Sequence, residues 1–422
     1  MRLSTRFKRA SLPALILAVW WTAIASISAD DWPQILGPDR NGRAAGEDLL
    51  ATWPTEGPKL RWKRELGSGF SGPVATGETV YLFHRQGDKE ILEAASLATG
   101  KTQWKREFPA LYRASINPDD GPRCTPVVAG EVVVVLGAAG NLHAVDAEDG
   151  SVKWSLDLAD RFTAPEGYFG VGSTPLVMED KILVNVGGRD GAGIVAVGLD
   201  DGEVKWKSTD FAASYSSPVA AKLNDEPIAV FVTRLDLALV RASDGKLLGS
   251  RPFGARGPTV NAATPLVLED RLFLTASYGV GAALVTLETE LETVWANDES
   301  LSSQYNTPIE MGGFLYGIHG REDVGVASLQ CVELKSGKVQ WEEKNYGPAH
   351  LIYADGKMIS VKADGQVVLW TPNPTNYQLV SQFTATSDVP RAIPALAHGR
   401  LLIRASGGRG SVVHCFEVGK TP

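Results

Sequence analysis

The stretch Cys124–Trp154, CTPVVAGEVVVVLGAAGNLHAVDAEDGSVKW, carries the plan of the whole chain. TPVV and EVVVVLG are apolar, β-branched runs of strand length, and NLHAVDA alternates apolar with polar residues. EDG supplies a turn and SVKW closes the unit, with Gly and Asp at the junctions where short antiparallel strands need tight reversals. The stretch predicts a four-stranded antiparallel meander that ends in tryptophan.

The unit recurs on both sides. Its first strand opens with a small residue and proline, or a degenerate match, at Pro73, Pro126, Pro175, Pro218, Pro265, Pro308, around His350, and at Pro394. These eight starts lie about 42 to 53 residues apart. The ends are equally regular and close on Trp104, Trp154, Trp206, Trp295 and Trp341, with Ser250 standing in the fourth unit and Phe383 in the seventh. A four-stranded unit cannot bury both of its faces alone, so eight copies predict an all-β fold, an eight-bladed β-propeller. The eighth copy, from Pro394 to Val418, supplies only three strands, and KLRWKREL with Trp62 supplies the fourth. That pairing closes the ring and removes two exposed strand edges. A solenoid would instead need polar caps and would leave the KLRW strand unexplained. The closing tryptophans are expected to fill the gaps between blades, so Ser250 predicts looser packing at its position.

Outside the ring, residues 1–29 have the form of a secretory signal peptide, with Arg2, Arg6, Lys8 and Arg9 ahead of the apolar run LPALILAVWWTAIA. Residues 30–58 read as an extended arm laid over the surface and pinned by Trp32 and Trp53; 59–418 form the propeller and 419–422 a tail. No later stretch is long and apolar enough to cross a membrane. Removal of the leader takes the formal charge from −8 to −12, which disfavours nucleic acid and anionic membrane surfaces as partners. Cys124, Cys331 and Cys415 are odd in number and far apart, so no disulfide framework is expected. The reading is an exported protein, periplasmic or at the cell surface.

The ending A-x-D-x-x-x-G-x-x-x-W, present in full as AVDAEDGSVKW, resembles the repeat of the pyrroloquinoline quinone (PQQ) family of β-propellers. That family includes the quinoprotein alcohol dehydrogenases and the lipoprotein scaffold of the bacterial outer-membrane β-barrel assembly machinery. The resemblance covers roughly residues 59 to 418, and the opening WPQILGPDRNG further resembles exported bacterial members of the family. It implies the fold; its residues build turns and blade packing, so it implies little about activity. The family's dehydrogenases are similar to one another in a vicinal Cys-Cys pair over the quinone, a Trp beneath it, calcium ligands and a catalytic Asp. This chain has no adjacent cysteines. No cofactor is therefore predicted, and PQQ with calcium belongs only to the alternative reading, an oxidoreductase using the central channel.

Other catalytic signatures fail on their context. Gly67, Gly69 and Gly72 spell G-x-G-x-x-G, but a strand follows where a dinucleotide site needs a helix amino terminus. No G-x-S-x-G elbow occurs. None of the six histidines lies within four residues of another, so no metal-ligand spacing is present and no metal or catalytic residue is assigned.

In an up-and-down blade, the loop entering the first strand and the loop between the second and third strands share one face, and propeller function sits on such loops. Two entering loops are the longest, spanning about 22 residues from Trp104 to Pro126 and about 21 from Trp154 to Pro175. They carry Tyr112, Arg113, Asp119, Asp120, Arg123, Phe162, Glu166, Tyr168 and Phe169. The other loops of that face offer Arg189, Asp190, Tyr215, Asn261, Tyr305, Asn306, His319, Arg321, Glu322, Asp323, Arg391 and Arg409. Aromatic platforms, guanidinium groups and carboxylates together suit a polar ligand. The leading expectation is a non-catalytic binding or scaffold protein whose loop face meets a protein, peptide or saccharide partner.

Overall fold

Lys59–Leu66 pairs antiparallel with Gly410–Glu417, joining the start of the ring to its end inside one sheet. The computed structural model describes residues 31–114, 119–257, 259–408 and 410–420, so the leader 1–29 and Arg409 lie outside the described residues. Eight four-stranded antiparallel sheets form the eight blades. Blades 1 to 7 span 74–109, 127–157, 176–208, 219–252, 266–297, 309–343 and 349–384, and blade 8 combines 395–417 with Lys59–Leu66.

The strand chemistry follows position in the blade. First strands lie nearest the axis and are mostly short, as in Val127–Ala129, while second strands such as Val132–Leu136 are buried along their whole length. Fourth strands such as Val152–Asp157 carry only exposed and half-buried residues because they form the outer rim. The three cysteines are buried free thiols.

The blades are stitched by one repeated contact. The indole N–H groups of Trp62, Trp104, Trp154, Trp206, Trp295 and Trp341 donate to Leu97, Ala147, Leu199, Ala242, Leu334 and Asn373 carbonyls of the next blade, at 2.8 to 3.1 Å. Gly100, Gly150, Gly202, Gly245 and Gly337 lie against five of these rings, each at φ between +69° and +76°. A Cβ there would fall 2.4 to 2.8 Å from an indole atom. The glycine thus serves both the left-handed turn and the close approach of backbone to ring.

The seam at Ser250 is not loose, contrary to the expectation there. At the position of the turn glycine, blade 5 carries Leu291, which adopts φ 51° and is 1% exposed. Its side chain joins the core of blades 4 and 5, and Arg251 donates to the Leu291 carbonyl at 2.7 Å. The apolar volume has moved from one side of the seam to the other.

Two further arginines hold the ring. Arg404, 1% exposed, donates to the carbonyls of Gly67, Ser68, Ser71 and Phe83 and to the Ser411 hydroxyl, locking blade 8 to the loop that enters blade 1. Arg40, 2% exposed, comes from the arm. It donates to the carbonyls of Thr174, Pro175 and Pro218 and to Gln34.

Trp32 and Trp53 are buried, but the arm does more than lie on the surface. It crosses the end of the channel opposite the entering loops. Trp32 pairs with Ala75 of blade 1, Pro33 accepts from Val128 of blade 2, Arg43 donates to Glu310 of blade 6, and Leu49 donates to Asp355 of blade 7. The turn at Gly57 then packs on Phe383, filling the seam between blades 7 and 8 together with Trp53. An arm of mixed polarity gives no periodic signal, so its path into the channel is visible only once the first strands converge on it.

The exchanged seam predicts a coupled pair. Leu291→Gly alone should cost about 2–5 kcal/mol as a core truncation, and Ser250→Trp alone about 1–3 kcal/mol by overpacking. The double substitution rebuilds the regular wedge and should recover most of both losses in denaturant unfolding; strictly additive losses would contradict this packing. Removing the hub in Arg404→Met takes a donor from four carbonyls, of which Gly67 keeps the Ser411 hydroxyl and Ser68 the Arg85 amide, and should lower stability by roughly 2–4 kcal/mol.

Candidate functional site

The entering loops converge on the ring axis and enclose a funnel of about 820 Å³. Every blade contributes: Phe70 from blade 1, Arg123 from blade 2, Tyr168 and Phe169 from blade 3, and Tyr215 from blade 4. Val260 and Ala262 come from blade 5, Tyr305 from blade 6, His350 from blade 7, and Arg391 from blade 8. Ile35 of the arm also lines it, so the plug that carries Arg40 makes the channel blind at its far end.

One side of the wall is a network. Tyr305 donates to Glu322 at 2.8 Å, Arg391 donates to the other oxygen of Glu322 at 2.6 Å, and Arg321 pairs through two nitrogens with Asp323. Arg321 also lies 4.2 Å from the Tyr278 ring. Burial and the Glu322 charge hold the Tyr305 hydroxyl well above its ordinary range, so it stays a donor. His350 is fully enclosed and bonded to the Arg391 carbonyl, and burial brings its pKa down to about 4, so it is neutral at physiological pH.

Arg123 lies beside this network: its guanidinium is 5.7 Å from the Phe70 ring, which Arg391 also approaches at 5.4 Å, and 5.4 Å from the Tyr112 ring. Its guanidinium donates to the carbonyls of Gly121 and Asp119, which fixes it against its own loop. Beneath the two long loops a crevice of about 400 Å³ opens off the funnel at Tyr168, Tyr215 and Val260. The short helix Leu158–Phe162, capped by Asp157, forms part of its wall.

The structure brings six of the expected residues into the funnel: Arg123, Tyr168, Tyr215, Tyr305, Arg321 and Arg391, together with Phe169, Glu322 and Asp323. Tyr112 and Glu166 line the crevice. The others are placed elsewhere because they serve the loops. Asp119 accepts from the amides of Gly69 and Gly121, Asp120 accepts from Ala114, and exposed Arg113 lies 3.8 Å from Asp120. Asn261 is buried and donates to the Thr233 and Phe253 carbonyls; Asn306 is buried beside His350. His319 accepts from Ser302 and lines a separate cleft, Phe162 is buried in the core of blades 2 and 3, and Arg189 and Asp190 lie outside the funnel lining. Sequence reasoning missed Phe70, Tyr278, His350 and Ile35 as lining residues. Phe70 sits within GSGFSG, where the glycines of a loop drew attention away from the aromatic between them.

The residues present do not fit PQQ with calcium. Both funnel carboxylates are held by guanidinium groups, so a calcium ion would have to displace Arg391 or Arg321 to gain a ligand. No tryptophan lines the funnel, and no group of three or more metal-ligating side chains is found among the described residues.

The funnel is supported from behind by Glu90, 3% exposed, which accepts from the Ala138 amide at 2.9 Å. Ala138 in turn accepts from Val171, so the carboxyl holds the turn on which the blade 3 loop rests. Burial pushes the Glu90 pKa up to about 7, against the opposing Ala138 hydrogen bond and Arg123 charge.

Comparison with known proteins adds a family. The family model described as outer membrane protein assembly factor BamB matches residues 88–343. The chain is 23% identical over 315 residues to the outer membrane protein assembly factor BamB of Escherichia coli K12, covering 67% of this chain and 71% of that one. Among solved structures, BamB from Moraxella catarrhalis superposes with a TM-score of 0.61 at 16% identity, over 85% of this chain and 97% of that one. A europium-containing methanol dehydrogenase gives a TM-score of 0.68 at 12% identity, over 91% of each chain. At these identities the structural likeness shows the shared propeller fold.

Glu90 sets a pH dependence whose sign is fixed. Its folded pKa lies above the ordinary carboxylate value, so the stability it contributes is complete below about pH 4.5 and is lost as pH rises through about 7. Glu90→Gln keeps an acceptor for Ala138 and should flatten that part of a denaturation midpoint against pH curve; an unchanged slope would contradict the assignment.

Proposed function

We propose that this chain, which belongs to the family of the outer membrane protein assembly factor BamB, is an exported, non-catalytic scaffold that seats a protein partner on its loop face. The observation that carries the reading is where apolar surface is left uncovered. Leu111, Tyr168, Val324, Val326 and Val389 are exposed large hydrophobics on the loops and hairpin ends around the funnel mouth. The remaining exposed large hydrophobics, such as Val152, Leu247 and Leu379, lie on outermost strands. The opposite face shows none among the described residues and is crossed by the arm.

Exposed apolar groups around a concave, partly charged centre are the usual anatomy of a protein-binding surface. The printed function of the relatives, assembly of outer membrane proteins, supports a protein over a saccharide as the partner. The leader supports export to the periplasm or cell surface, and no helix among the described residues is long and apolar enough to cross a membrane.

The test is quantitative capture and crosslinking from cell-envelope extract. Leu111→Asp with Val324→Asp should reduce the captured partner by about ten-fold or more, the scale of a lost hot spot. Lys205→Ala, exposed on the outermost strand Val204–Ser208 of blade 3, should leave capture unchanged. Equal capture by all three proteins would overturn the reading.

A further inference from the structure

The funnel has an imbalance of charge that points to the chemistry of its occupant. Three cations line it, Arg123, Arg321 and Arg391, against two carboxylates, Glu322 and Asp323. Arg391 is paired with Glu322 and Arg321 with Asp323, which leaves Arg123 as the lining cation with no carboxylate at ion-pair distance among the described residues, while the Asp119 and Glu90 carboxyls act on it from farther off, behind the lining. A guanidinium has five donors, and among the described residues Arg123 uses two, both on loop carbonyls. No ion pair joins it to a carboxylate among the described residues.

This cation is costly to keep where it is. Burial works against its charge, lowering its pKa despite the Asp119 charge, and two aromatic rings lie beside it, Phe70 being shared with Arg391. The chain as a whole is acidic, at −8 with its leader, so a cationic funnel is a local exception. An excess cation framed by aromatic rings in a concave site is suited to a carboxylate that arrives attached to apolar groups.

We propose that the funnel takes an acidic, extended peptide segment of the partner, with a carboxylate on Arg123 and an apolar side chain among Phe169, Tyr215 and Tyr305. The inference rests on the protein-partner reading of the loop face and names what that face selects. The blind end at Ile35 limits the occupant to a short segment, and the crevice at Tyr168 gives a neighbouring side chain a place to turn aside. Glu322 and Asp323, already neutralised, do not repel it.

The experiment is calorimetric titration of the full chain with acetyl-Glu-Phe-Glu-amide and with its uncharged analogue acetyl-Gln-Phe-Gln-amide. The acidic peptide should bind about ten-fold or more tightly than the analogue, and raising salt from about 50 to about 500 mM should weaken only the acidic one. Arg123→Gln should abolish the difference. Arg123→Lys, which keeps the charge but loses the forked contact to the loop, should retain most of it and so separates charge from loop disorder. Equal affinities, no saturable binding of the acidic peptide at millimolar concentration, or a preference that survives Arg123→Gln would each overturn the proposal. If the peptides fail while the Leu111 and Val324 variant still loses its partner, this inference falls and the scaffold reading stands. If the peptides bind as expected and that variant captures normally, the scaffold reading falls instead.

Discussion

Five of the eight seams of this ring are closed by a tryptophan laid against a glycine turn, and the other parts of the molecule are positioned by that repeated contact. The indole excludes water from the seam, and its N–H satisfies a carbonyl that the turn would otherwise leave unpaired in the interior. Because the same two residue types meet at the same height in five of the seams, the first strands converge on one axis. The wedge lies on the arm side of the disc. The loops of the other side are therefore free to differ in length without disturbing the ring, and that freedom produces the funnel.

A closed ring creates a channel, and a channel in an apolar core must be filled or wetted. Here it is filled from one end by the arm. Arg40 turns its guanidinium onto the carbonyls where blades 3 and 4 begin, and burial lowers its pKa only to about 9, so it remains charged at neutral pH. Arg404 does the same at the ring's closing seam, with its pKa at about 10. Both buried cations are matched by backbone dipoles of several elements at once. Such a contact orders segments distant in sequence, as it does here for the arm, the entering loop of blade 1, and blade 8.

The ring itself was legible in the sequence because its determinants are local and repeated: a proline after a small residue, a glycine turn, a tryptophan four residues later. The strand Lys59–Leu66 was legible for a negative reason, since the last unit lacked a strand and the first strand lacked a unit. The exchange of Ser250 for Leu291 was only half legible. The missing indole is plain in one unit, but the leucine that replaces it stands in another, and only their contact shows the compensation. The path of the arm was not legible, because Arg40 in GPDRNG has the composition of a solvated turn.

The site divides along similar lines. Topology alone gathers Arg123, Tyr305 and Arg391 on one face, since it depends only on which loops enter first strands. It cannot tell a side chain that faces the axis from one that holds its own loop, and so Asp119, Asn261 and His319 stood beside them in the sequence reading. What distinguishes the two groups is the fate of backbone amides and carbonyls, which exists only after folding.

Hydrogen exchange, measured with the captured partner bound and free, tests most directly whether this face is the working surface. The account predicts added protection in peptides covering 108–125, 162–172, 304–323 and 389–393, with the arm at 31–57 and the outermost strands unchanged. Protection confined to the arm or to the outer strands would contradict it.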